Sequence, residues 1–117
     1  MVGCAKVKIA KGAALSDAVD LNQSRLVGLM LPDGWDTADV TFQVSIDGAT
    51  YVDLFTPTAE FKIATGVAAA SRQYILDIHE TPGIRFLKVR SGVAATPVNQ
   101  STGERVITLI LCTPGLV

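Results

Sequence analysis

The chain is poor in the side chains that carry out chemistry. Its 117 residues include one histidine, two cysteines and one tryptophan. A zinc site built from Cys and His needs more of both than this. No Gly-x-x-x-x-Gly-Lys-Ser/Thr or Gly-x-Gly-x-x-Gly run offers a phosphate cradle, and no Gly-x-Ser-x-Gly elbow presents a nucleophile. The lone histidine, His79, has Asp77 and Glu80 as neighbours. On a strand, residues one apart point to opposite faces and residues two apart are ~7 Å from each other, so neither carboxylate is placed to orient the ring. His79 therefore reads as a solvated strand-end residue. These absences predict a non-enzymatic protein without a cofactor.

Charge is scarce as well. Only 18% of residues are charged, against about 25% in ordinary soluble domains. Ten Lys and Arg face eleven Asp and Glu, for a net charge of −1. That balance does not suit a chain that works by neutralising phosphates, so no nucleic-acid partner is expected. Apolar stretches such as 29–31 and 106–112, with Thr108 inside it, are far shorter than the ~20 residues of a membrane-spanning helix. Residues 1–6 show no apolar run behind a basic start, so neither a membrane partner nor a secretory leader is predicted. Cys4 and Cys112 are then expected as reduced thiols. They could pair only if the first and last strands were neighbours.

What the sequence does have is hydrophobic periodicity. Apolar residues make up 49% and mean hydropathy is +0.38, which excludes intrinsic disorder. In 40–47, Val40, Phe42, Val44 and Ile46 alternate with Thr41, Gln43, Ser45 and Asp47, the signature of a half-buried strand. Asp47-Gly48 then tolerates the positive φ of a hairpin turn, and the chain resumes as a strand over 50–55. Further strands are predicted over 5–10, 18–21, 25–31, 60–65, 73–78, 84–90 and 105–112, separated by Gly, Pro, Asp and Ser turn signals. The small-residue stretch 66–72 is compatible with a helix or a loop. Together these runs predict one all-β domain over 1–117, an antiparallel β-sandwich of jelly-roll type with eight or nine strands. Val40, Phe42, Val44, Ile46, Phe86 and Leu109 are its expected core.

Two strands are apolar on both faces, at 26–31 and 106–112. A sandwich strand normally needs only one apolar face. The second is covered either by a loop or terminus of the same chain, or by another chain. In the latter case Leu26, Leu29, Leu31, Ile107, Leu109 and Leu111 are the candidate interface. A separate loop, 32–39, holds Asp33, Trp35, Asp36 and Asp39. Its spacing is not that of the twelve-residue calcium loop, and turn-forming aspartates account for it. Trp35 reads as a plug over the sandwich end. Alternatively, Asp33, Trp35 and Asp36 hold a glycan, the ring stacking on a sugar while the carboxylates take hydroxyls.

Residues 26–35 and 40–51, with Gly83-Ile84-Arg85-Phe86-Leu87-Lys88-Val89-Arg90-Ser91-Gly92 and Pro97-Val98-Asn99-Gln100, resemble small structural proteins of tailed bacteriophages and prophages. The likeness runs over residues 6 to 112. It implies a virion protein made in the bacterial cytoplasm: a capsid decoration, or cement, protein that forms homotrimers and binds the major capsid protein. The alternative it implies is a fibre or tail component that binds carbohydrate through the Trp35 loop. It brings no catalytic residues.

Overall fold

The computed structural model describes residues 2–22, 24–64, 71–75 and 84–112. Nine strands run through them: β1 (Val2–Ile9), β2 (Leu15–Asp20), β3 (Arg25–Met30), β4 (Val40–Ser45), β5 (Val52–Asp53), β6 (Gln73–Ile75), β7 (Phe86–Val93), β8 (Thr96–Pro97) and β9 (Arg105–Cys112). There is no helix among the described residues. One sheet has the order β1-β9-β3-β6; the other has β2-β7-β4-β5, with β8 added to β7. Every pairing is antiparallel. The ladders β1·β9, β2·β7, β3·β6 and β4·β5 are nested, each enclosing the next in sequence.

The core lies between the sheets. Val7 and Ile9 of β1, Leu26 and Leu29 of β3, Val40 and Phe42 of β4, Leu87 and Val89 of β7, and Ile107 and Leu109 of β9 are all buried. On β3, Leu26 and Leu29 are three residues apart, a spacing that strict alternation would send to opposite faces. A bulge resolves this. Leu26 pairs with Leu111 while Gly28 pairs with Ile110, so Val27 is one residue extra and the phase reverses. A second bulge, between Leu15 and Ala18, leaves the Val89 amide without a strand partner. The Ser16 hydroxyl accepts it at 2.9 Å. Ser16→Ala is expected to destabilise the fold by about 1 to 3 kcal/mol, the usual result of stranding a buried donor; urea denaturation reads it.

Several expected boundaries and burials are corrected. The 60–65 strand is reduced to isolated bridges, Val40 with Ile63 and Phe55 with Glu60, and β8 was not anticipated. The hairpin after β4 is not a two-residue turn: β5 begins only at Val52. Val40 and Phe42 are buried as expected, and Val44 is partly so. Ile46 is not, being 89% exposed. The strand ends at Ser45, whose hydroxyl accepts hydrogen bonds from the amides of Asp47 and Gly48, so alternation stops before Ile46 is reached. Phe86 pairs with Ser45 and Asp20 on the outer face and lies half-buried beneath the Arg85 guanidinium, 5.0 Å from its ring.

Thr41 was expected to face solvent, yet it is buried. Arg90 lies beside it and donates to its hydroxyl at 2.9 Å, while that hydroxyl donates to the Gly92 carbonyl at 2.6 Å. The other arms of Arg90 reach Asp53 and Glu60, each at 2.8 Å. Glu60 also accepts the Ala94 amide. This polar knot covers the outer face of the second sheet where Gly92, at φ +91°, lets the chain turn back into β8; a Cβ there would lie 2.6 Å from the Thr96 carbonyl.

The first and last strands are indeed neighbours, but Cys4 pairs with Ile110 and Cys112 with Val2. The two cysteines are thus offset diagonally, at the ~7–8 Å typical of such positions, which is beyond disulfide reach without backbone movement. No disulfide joins them.

Candidate functional site

The Trp35 loop does not present a stacking platform. Trp35 is only 5% exposed and belongs to the core, its indole N–H donating to the Ala38 carbonyl at 3.4 Å. Asp36 is turned to its own chain: its carboxylate accepts from the Ser101 amide at 2.7 Å and the Thr102 hydroxyl at 3.2 Å, with Arg105 at 3.8 Å. The Asp36 amide donates to the side-chain oxygen of Gln100, a fully buried residue. Backbone hydrogen bonding from Ser101 therefore holds the Asp36 carboxyl below its ordinary range. Asp39 faces Lys62 at 3.5 Å, and Asp33 is exposed. Asp36 and Asp39 are thus sent to different neighbours and Asp33 to solvent. Among the described residues, no group of three metal-ligating side chains is assembled. His79, Asp77 and Glu80 lie outside the described residues.

The six candidate interface residues are also placed by the register. Leu26, Leu29, Leu31, Ile107 and Leu109 are buried between the sheets, and Leu111 packs against them. They are the inward set. The outward set of the same strands is the one that sequence reasoning did not name: Met30 with Thr108, and Gly28 with Ile110. Cys4 flanks Ile110 on β1, and Ile75 flanks Gly28 on β6. Met30 is 43% exposed and Ile75 is 88% exposed. The signal was present in the parity of 106–112, but apolar residues on both faces cannot say which parity turns inward.

A second apolar region lies at the end of the sandwich around β4 and β5. Val52, which lines a groove with Ile46, is 60% exposed, and Phe55, just after β5, is exposed to the same extent. Val44, Ile46, Val52, Leu54 and Ile84, with Ser45, Asp47 and Thr50, line that groove, of about 490 Å³. Its polar members serve the loop. One Asp47 oxygen accepts from the Thr50 amide at 3.0 Å and from the Ala49 amide and Ser45 hydroxyl at 2.8 Å each. These bonds favour the charged carboxylate and hold its pKa down to about 2. A groove with this lining suits an apolar surface better than a polar metabolite, which needs several convergent polar groups.

A depressed carboxyl pKa contributes stability that is present above the unfolded value, here 3.8, and is lost as pH falls through the folded one. Asp47→Asn keeps an acceptor oxygen but not the charge. Wild type is expected to melt above the variant at pH 7, and the gap should close between pH 3.8 and about 2. Thermal melts of both proteins across that window check it.

Compared with known proteins, the chain matches no family model and no curated sequence.

Proposed function

We propose that this chain is a non-enzymatic virion protein of a tailed bacteriophage, a decoration protein that joins copies of itself, as trimers, and binds the major capsid protein on an assembled head. The observation that carries the reading is the exposure of large apolar side chains in two places, Met30 and Ile75 on one sheet and Ile46, Val52 and Phe55 at the β4–β5 end. A monomer of this size gains nothing from leaving them in water, whereas protein contacts would bury them. The resemblance to phage structural proteins supports the same reading.

The fold reading of jelly-roll type is supported by the nested ladders and by the strand orders β1-β9-β3-β6 and β2-β7-β4-β5. That architecture serves capsid and lectin domains alike, so topology does not separate the decoration reading from the glycan reading. Trp35 favours decoration, because a buried indole offers no face to a sugar. Near-neutral net charge permits close approach of identical copies, and many weak contacts on one shell act together.

Sedimentation of the purified protein, alone and mixed with empty capsids, tests the proposal. Trimers that co-sediment with capsids are the expected result. A monomer that stays in the supernatant overturns it.

A further inference from the structure

We infer that the outer face of the β1-β9-β3-β6 sheet is the surface that docks on the capsid, and that its partner is an apolar protein surface rimmed with carboxylates. The inference rests on the decoration reading and adds which face is used and what chemistry receives it.

The first ground is composition. An antiparallel sheet with one solvated face normally alternates apolar inside with polar outside. Here the outward positions include Cys4, Met30, Ile75, Thr108, Ile110 and Cys112. The opposite outer face is built differently: Gln43, Asp53 and Lys88 share its rows, and Lys88 lies 4.4 Å from the Tyr51 ring. The polar side chains of the first face, Lys6, Lys8 and Gln73, sit on its edge strands β1 and β6, while the middle strands β9 and β3 carry Met30, Ile110 and Cys112 around Thr108.

The second ground is charge. Every charged residue on the strands of the apolar sheet is a cation: Lys6, Lys8, Arg25 and Arg105. The strand-borne acids Asp17, Asp20 and Asp53 all belong to the other sheet. Arg105 is held by Gln100 and Asp36, but no ion pair engages Lys6, Lys8 or Arg25 among the described residues. Lys6 and Lys8 lie on β1, and Arg25 pairs with Cys112 at the end of the face. A second copy laid face to face would offer these cations no strand-borne carboxylate, since no strand of this sheet carries an acid. A partner that supplies carboxylates around an apolar centre matches both features.

The third ground is the edge. The Asp17 carboxylate accepts the Lys8 amide at 2.8 Å, occupying an outward-pointing donor of β1 and discouraging a further strand there. The face is left as the docking surface. Four strands of this length present on the order of 500 Å², below the ~800 Å² per partner of a standard interface. Each copy then binds weakly, and attachment depends on many copies.

The test uses the full chain and empty shells assembled from the major capsid protein encoded in the same genome. Cys4, exposed on this face, is labelled with a maleimide with and without shells. Ile75→Asp and the double variant K6E/K8E are compared with Ile46→Asp, at the far region, in co-sedimentation, after circular dichroism shows that each is folded. The expected result is at least tenfold slower Cys4 labelling on shells and at least tenfold weaker binding of Ile75→Asp and K6E/K8E, with Ile46→Asp still bound. Wild-type binding should weaken at high salt. Binding that leaves Cys4 reactive and tolerates both variants overturns the face while leaving decoration standing. Protection of Cys4 on self-association without shells overturns it in favour of a second copy. No binding by wild type overturns both readings.

Discussion

Phe42→Ala is expected to lower the stability of this protein by about 3 to 5 kcal/mol, a large share of the 5 to 15 kcal/mol that holds a domain of this size together. Phe42 is fully buried, pairs with Val89 across β4·β7, and has its ring centroid 5.8 Å from that of Phe61. Truncation removes apolar contact and leaves a void between elements fixed by their ladders, so the site cannot collapse to fill it. Ile46→Ala, four residues later in the same alternating run, is expected to change stability by no more than about 0.5 kcal/mol, because that side chain is already in water. Chemical denaturation of the two variants measures where the inward phase of β4 ends.

Arg90→Met is the second large effect, at about 3 to 5 kcal/mol. The Arg90 side chain is 6% exposed, and its partner Glu60 is 14% exposed. Taking away the guanidinium leaves a mostly buried carboxylate with only the Ala94 amide, while the Thr41 hydroxyl loses a donor but keeps its bond to the Gly92 carbonyl. The loss belongs to the orphaned charge more than to the pair, since two buried ions also lose their hydration on folding. Arg90→Met combined with Glu60→Gln is therefore expected to recover part of the stability, and a double-mutant cycle on thermal or urea melts gives the coupling.

The strands were legible because their alternation is local. The run 105–112 was marked from sequence at the bounds that β9 has, and Val40 and Phe42 were placed in the core by parity alone. What stayed hidden depends on residues far apart in the chain. The β3 bulge at Val27 is set by the register against β9, and it decides that Leu26 and Leu29 share a face. Thr41 looked solvent-facing until Arg90, 49 positions away, was laid across it. Phe86 looked like core because an aromatic ring on a strand usually is, but the register on both sides sends it outward. For the candidate sites, sequence found the doubly apolar strands and not which half of them faces water. The Trp35 loop carried two readings with identical residues; only burial of the ring distinguishes a plug from a platform.

The nested ladders also prescribe an order of assembly. Residues 43–53 can meet as soon as they are made, because β4 and β5 are joined by a short loop. Each surrounding ladder closes a longer loop, unless the one inside it has already formed and shortened the free chain. Pairing is thus expected to spread from β4·β5 outward through β3·β6 and β2·β7 to β1·β9, at the slow rates of topologies dominated by distant contacts. Pulse-labelled hydrogen exchange during refolding should find β4 amides protected before those of β1. On the ribosome the consequence is sharper: among the described strands β1 emerges first, and the strand it ladders with, β9, emerges last.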